Sequence, residues 1–171
     1  LAGLMLQPSE SVSYYASYSN SHQPSGASFA LAANNAANAP EQTENREVGT
    51  KLDFLDGAGS TLVSVTGAVF NLERSDIKTI DPARPTVLIN VGKQRTNGLE
   101  LTASGSLPQG WNISAGYAYL DGRIVKSTSA QASPQTPVVQ IPLQGNRPSL
   151  TPKHSAFVWA VKQLGGGFSA G

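Results

Sequence analysis

The feature that most constrains this chain is an alternation of very short and very long connections between β-patterned segments. About six period-2 segments read in full. Tight turns fall at Gln7–Ser11, Asp56–Ser60, Pro108–Gly110 and Gln163–Gly166. Between them run long polar links, at Asn20–Asn45, Arg74–Gln94 and Gly122–Lys153. A barrel that crosses a membrane sorts its connections this way, with short turns at one rim and long loops at the other. A soluble meander has no reason to do so. The expected fold is therefore all-β, an antiparallel transmembrane β-barrel wall, with function at the long-loop rim.

Composition supports strands with one modestly polar, uncharged face. Charged residues make up 13% of the chain, about half the ~25% of an ordinary soluble domain. The formal net charge of +1 gives no electrostatic case for nucleic acid as a partner. Without cysteine the chain can form neither a disulfide framework nor a thiolate metal site. No apolar run reaches the ~18 residues of a transmembrane helix, which a β-barrel does not need.

Successive side chains of a strand point to opposite faces, so each segment can be split into two rows. Val12, Tyr14, Ala16 and Tyr18 share one face, with Ser13, Tyr15, Ser17 and Ser19 on the other. In the segment Glu47–Leu55, Val48, Leu52 and Phe54 oppose Glu47, Lys51 and Asp53. In Thr61–Glu73, Leu62, Ala68, Phe70 and Leu72 share a face, but Val63, Val65 and Val69 disturb the alternation. The cleanest pattern is Leu99, Leu101, Ala103 and Leu107 against Glu100, Thr102, Ser104 and Ser106. Trp111, Ile113, Ala115, Tyr117 and Tyr119 follow on one face, and Phe157, Trp159 and Val161 group together in His154–Leu164. The greasy rows are expected to face lipid and their neighbours a wide, wet interior. Trp111 and Phe54 lie beside short turns, whereas Tyr18, Tyr117 and Tyr119 lie toward the long loops, as two interfacial aromatic girdles would. Gly, Ser and Thr dominate the inward rows, and a small barrel would need bulkier filling there, so a large barrel is expected. Ala32–Asn38, rich in Ala and Asn, reads as a low-complexity loop with room for a short helix.

Several stretches together resemble one family. They are Pro40–Lys51, Ala68–Glu73, Gln94–Leu101, Gly110–Asn112 with Ala115–Asp121, and Gly145–Arg147 leading to Thr151–Ser155. Their order and spacing resemble the C-terminal part of the β-barrel in TonB-dependent siderophore receptors of the ferrichrome and catecholate type. The resemblance covers nearly the whole chain. It implies a fragment of a 22-stranded barrel, about 7–8 strands and open, drawn from a wall that a plug domain fills. On this reading residues 1–171 form a partial barrel domain, with the plug and the C-terminal strand absent. The location implied is the Gram-negative outer membrane. The implied partners are a ferric siderophore, the TonB-ExbB-ExbD system acting through the missing plug, and outer-membrane lipid or lipopolysaccharide. No cofactor is implied, because iron travels as the ferric siderophore and not on the protein.

Candidate ligand-binding residues for the vestibule are Tyr15, His22, Arg84, Lys126 and Arg147. Guanidinium and ammonium groups pair with oxyanions, and the basic residues Arg74, Lys78, Arg84, Lys93, Arg123, Lys126 and Arg147 all fall in the long links. The same side chains equally suit loop solubility or contact with lipopolysaccharide phosphates. Tyr15 and His22 offer rings near the mouth, while His154 suits a structural hydrogen bond at the rim. Two distant histidines without cysteine give no metal-ligand spacing. No nucleophile elbow, phosphate loop or dinucleotide fingerprint is present, so no catalytic residue is assigned and no enzyme is expected. Rival readings are a passive outer-membrane porin, a surface β-sandwich adhesin and, more weakly, an outer-membrane hydrolase.

Overall fold

The computed structural model describes residues 1–23, 39–132 and 140–171. The Ala/Asn-rich stretch 32–38 lies outside the described residues. Ten strands are described. They are β1 (Ala2–Ser9), β2 (Val12–Gln23), β3 (Glu41–Leu55), β4 (Thr61–Asp81), β5 (Arg84–Leu107), β6 (Trp111–Lys126), β7 (Ala130–Ala132), β8 (Gln140–Pro142), β9 (His154–Gly165) and β10 (Phe168–Ala170). Eight form one antiparallel sheet in the order β1-β2-β3-β4-β5-β6-β9-β10, and β7 and β8 form a separate short hairpin. Each strand pairs with its neighbour in sequence, apart from the β7–β8 excursion, and the sheet does not close on itself.

The short turns have the chemistry expected of them. Asp56 Oδ1 accepts hydrogen bonds from the backbone N–H of Ala58 (2.9 Å) and of Ser60 (2.8 Å), and Gly59 takes the left-handed φ of 84° that this turn requires. Gln109 and Gly110 turn the chain at φ 64° and 80° before β6.

Cross-strand register settles which side chains share a face. One face carries Tyr14, Val48, Val69, Leu101 and Tyr117, and across it Leu99 pairs with Tyr119 and Leu107 with Trp111. From Trp111 to Tyr119 the strand rises about 27 Å, or roughly 21 Å along the membrane normal at a tilt of ~40°. That is close to the ~25 Å apolar band of an outer-membrane barrel. Trp111, Leu101 and Trp159 are 41%, 45% and 60% exposed, which a face-to-face sandwich would not allow. The wall is a single layer.

Two expectations about facing need correction. On β4 the lipid-facing row is Val63, Val65 and Val69, so Phe70 and Leu72 lie on the opposite, inner face. On β9 Ala156, Val158 and Ala160 pair with the lipid-facing residues of β6, so Phe157, Trp159 and Val161 also point inward. The cause is cross-strand space. Phe70 pairs with Gly98, Phe157 with Gly116 and Tyr15 with Gly49. In all three the ring reaches over a glycine, and a Cβ built there would come within 2.2, 2.3 and 2.5 Å of ring carbons respectively. The glycine leaves the ring a berth against the wall, so the inner surface stays low-relief although it is aromatic.

A third correction concerns the link at Arg74–Gln94. It is a continuous hairpin, because β4 and β5 run 21 and 24 residues, well beyond the ~9–11 that cross a bilayer. Ile77, Thr79 and Ile80 on one arm and Leu88 and Ile89 on the other are good strand formers, and the ladder continues to Asp81–Arg84.

Candidate functional site

The external end is where the chain packs against itself. Among the described residues the buried positions are Thr79, Asp81, Gly92, Gly122 and Ile124, all at this end. A wall with lipid on one side and a lumen on the other has no core of its own. This cluster exists because the connection from β6 to β9 folds back onto the β4–β5 hairpin. The Thr128 hydroxyl donates to the Ile80 carbonyl (2.6 Å) and lies 2.7 Å from the Thr79 hydroxyl, while the Ile80 N–H donates to Ser129 Oγ (3.2 Å). The Ile124 N–H donates to the Asn146 carbonyl, and the Gly145 N–H to the Ile124 carbonyl, both at 2.8 Å. Two external connections are thus latched into one unit.

Beneath that latch, on the inner face, lies a hollow of about 610 Å³. Phe70, Leu72 and Arg74 of β4, Gln94, Thr96 and Glu100 of β5, and Leu120 and Ile124 of β6 line it, with Pro148, Ser149 and Thr151 at its edge. Apolar side chains, neutral hydroxyl and amide groups, one guanidinium and one carboxylate make a mixed surface of the kind that holds a small ligand. Arg74 Nη2 is bonded to Glu41 Oε2 at 3.0 Å. Further down the inner face the Tyr15 hydroxyl donates to Glu47 Oε1 (2.7 Å), and Lys51 pairs with Asp53 (3.0 Å). Among the described residues no three His, Asp or Glu side chains gather into a metal-sized site.

The hairpin tip is an acid-sensitive element. Asp81 accepts from the Ala83 N–H and from Arg84 Nε, both at 2.9 Å, and these donors hold its carboxyl below the usual carboxylate range. A depressed folded pKa gives stability that is present above the unfolded value of ~3.9 and is lost as pH falls through the lower folded value. The protection factor of the Ala83 amide, its exchange rate relative to the unstructured chain at the same pH, should therefore be high at neutral pH and fall in strong acid. Asp81→Asn should lower it at neutral pH as well; unchanged protection in that variant would reject the assignment.

The five sequence candidates do not converge. Tyr15 sits mid-wall on the inner face, opposite Gly49. His22 is on the lipid-side row of β2, opposite Gln42 and beyond Tyr18. Arg84 is at the hairpin tip, Lys126 ends β6 opposite Lys93, and Arg147 lies in the turn that follows β8. Among the described residues no hydrogen bond, ion pair or ring contact joins any two of the five. Lys93 and Arg123, grouped above with the loop cations, lie on the lipid-side face, in ion pairs with Glu73 and Asp121. Residues missed as site formers are Gln94, Thr96, Ser149 and Thr151. Parity would have found the first two, because they extend the even-numbered inner row of β5.

A single-layer antiparallel wall with an apolar belt, two aromatic girdles and an external latch over an inner hollow defines an outer-membrane β-barrel receptor segment. The family model described as TonB dependent receptor-like, beta-barrel matches residues 2–171, and the chain belongs to that family. It is 36% identical over 171 residues to the probable TonB-dependent siderophore receptor PiuA of Acinetobacter baumannii, covering 95% of this chain and 22% of that protein. It is 30% identical over 149 residues to the ferrichrome outer membrane transporter/phage receptor of Escherichia coli, covering 87% of this chain and 17% of that one. The crystal structure of PiuA superposes with a TM-score of 0.77 at 33% identity, over 95% of this chain and 23% of that chain. The ferric-catecholate import receptor Fiu of E. coli shares the fold at a TM-score of 0.73 and 23% identity, over 98% of this chain and 22% of that one. The chain spans about a fifth of the length of these relatives. All of them are receptors or transporters by name, and membership of this barrel family places the chain in the outer membrane.

Proposed function

We propose that this chain is the wall segment of a receptor that binds a ferric siderophore at its extracellular mouth and imports it with energy from TonB. The observation that carries the reading is the inner hollow edged by the β6–β9 connection, in a chain that matches the receptor family along its length. Iron is cargo here, chelated by the siderophore, so the protein needs no metal ligands of its own. Arg84, Lys126 and Arg147 at the external end would meet an anionic complex first, while Tyr15 and His22 are the weaker candidates by position. Coupling to TonB-ExbB-ExbD would pass through a plug lying outside this chain. Outer-leaflet lipid, including lipopolysaccharide, would cover the apolar belt. No specific observation favours a porin or an adhesin.

The test uses the full-length receptor, expressed in an iron-limited Gram-negative host stripped of its own siderophore receptors. Uptake of radiolabelled iron is measured with ferric hydroxamates and ferric catecholates offered singly, with and without a functional TonB. Uptake of at least one complex, abolished without TonB, is expected. Uptake of none, or uptake indifferent to TonB, would overturn the proposal.

A further inference from the structure

The last part of the β6–β9 connection crosses the inner wall as an arch. One end is tied where the Ile124 N–H donates to the Asn146 carbonyl and the Gly145 N–H to the Ile124 carbonyl. The other end is tied where the Leu120 N–H donates to the Lys153 carbonyl. The chain between these ties is longer than the stretch of β6 that it spans, so it bows instead of laddering. It passes over Gly122, which faces inward opposite Thr96; a Cβ there would lie 3.2 Å from Pro148 Cδ and 3.5 Å from Thr151 Cγ2. The arch displays Leu150, 101% exposed and at φ 57°. Left-handed backbone strains a bulky side chain, and leucine has no local hydrogen bond to gain from it. Strain spent on holding an apolar group clear of the wall points to a contact with something outside the wall.

The hollow beside the arch identifies the chemistry of that contact. Ser149 and Thr151, on either side of Leu150, line it together with Phe70, Leu72, Leu120 and Ile124. Its charged members are Arg74 and Glu100. Arg74 is already bonded to Glu41 at 3.0 Å, and among the described residues Glu100 has no ion pair. The hollow therefore offers one free carboxylate and no free cation, and Arg84, Lys126 and Arg147 are not among its lining residues. An anionic iron centre would meet repulsion there without a counter-charge. Uncharged groups fit instead, because the apolar side chains bury carbon and the hydroxyl and amide groups satisfy neutral polar atoms.

We propose that the arch and the hollow form a subsite for an uncharged organic arm of the ferric siderophore, an alkyl, aryl or amide portion, with Leu150 as its apolar contact and the anionic iron centre held outside. This deepens the proposed function and rests on it. Burying Leu150 against the arm offsets the strain of its backbone. The Glu100 carboxylate turns away an arm that itself ends in a carboxylate.

The experiment uses the full-length receptor in detergent and two probe series, a linear ferric trihydroxamate and a linear ferric tricatecholate. Each probe carries an amine-terminated arm that is either acetylated or succinylated, so the iron centre is constant and only the charge of the arm changes. Quenching of tryptophan fluorescence by the iron complex reads Kd. In the series that binds, the acetylated probe should bind about fivefold tighter than the succinylated one. Glu100→Gln should bring that ratio toward one. Leu150→Gly should weaken the acetylated probe about tenfold. It should nevertheless unfold in urea no earlier than wild type, because glycine accepts the left-handed backbone. A leucine with a structural role alone would give the opposite pair of results. Gly57→Ala, in a periplasmic turn with nothing within 4 Å of the added carbon, should match wild type in both. Equal binding of the two arms by wild type, or full affinity in Leu150→Gly, overturns the proposal. Should Glu100→Gln fail to fold, those two comparisons still decide. Binding of neither series overturns the receptor reading and the subsite together, whereas binding blind to the charge of the arm overturns the subsite alone.

Discussion

Gly98→Ala should destabilise the full-length receptor by about 1–3 kcal/mol, the usual cost of forcing extra volume into a packed contact. The added methyl would lie 2.2 Å from Cζ of Phe70, and two further ring carbons are within 2.8 Å. The ring cannot slide along the wall without losing its berth, so it must lift into the lumen. Gly116→Ala against Phe157 and Gly49→Ala against Tyr15 should behave alike, the latter also disturbing the Tyr15–Glu47 hydrogen bond. Gly57→Ala, in a periplasmic turn with nothing within 4 Å of the added carbon, is the control and should stay within about 0.5 kcal/mol of wild type. Urea titration of the detergent-folded receptor, followed by its electrophoretic mobility, measures all four. If Gly98→Ala unfolds together with Gly57→Ala, the ring-over-glycine contact is not what shapes the inner wall. Because Phe70 floors the mouth hollow, a lifted ring should also weaken siderophore binding, which the turn variant should not.

These glycines also explain where the sequence could and could not be read. On β5 and β6 the facing is plain, since Leu99, Leu101 and Ala103 alternate with Glu100, Thr102 and Ser104. On β4 both rows are apolar, and hydrophobicity alone cannot choose between Val65–Val69 and Phe70–Leu72. On β9 it chooses wrongly: Phe157 and Trp159 are greasier than Ala156 and Ala160, yet they face inward. The decisive fact is a cross-strand one. A large ring goes where the partner strand offers a glycine, and Gly98 and Gly116 become partners only once register is known. The external hairpin was hidden for a different reason. Its strand-forming residues are interrupted by Arg74, Ser75 and Asp76, with Asp76 at φ 56°, and the register shifts there. Polarity at that point reads as a loop although the ladder resumes. The mouth was the least legible part, because Thr128 reaches Ile80, and Asn146 reaches Ile124, through contacts that no local pattern encodes.

Arginine placed at three positions on β5 should separate a lipid-facing row from an ordinary exposed surface. Leu101 is 45% exposed, and its neighbours Tyr117 and Gly67 share its face inside the apolar belt, one pair above the belt's centre at Ala103–Ala115. In water, Leu101→Arg on such a half-exposed site would stay within about 0.5 kcal/mol of wild type. In a bilayer the same change puts a guanidinium about 5 Å from the midplane, at a cost of about 2 kcal/mol, between the midplane and interfacial values. Leu107→Arg, beside the turn and opposite Trp111, lets the side chain reach the interface, and the cost there falls to about 0–1 kcal/mol. Thr102→Arg, one residue from Leu101 but on the wet inner face, should cost about as little as a surface change. The measurement is reversible refolding of the full-length receptor into phosphatidylcholine vesicles, with tryptophan fluorescence against denaturant. A steep order of Leu101 over Leu107 and Thr102 requires both the alternation and the depth assigned to this strand. A flat profile would mean that the row from Leu99 to Leu107 never meets lipid. The girdles and the inner hollow would then lose their common frame, because each is located by its height and side relative to that row.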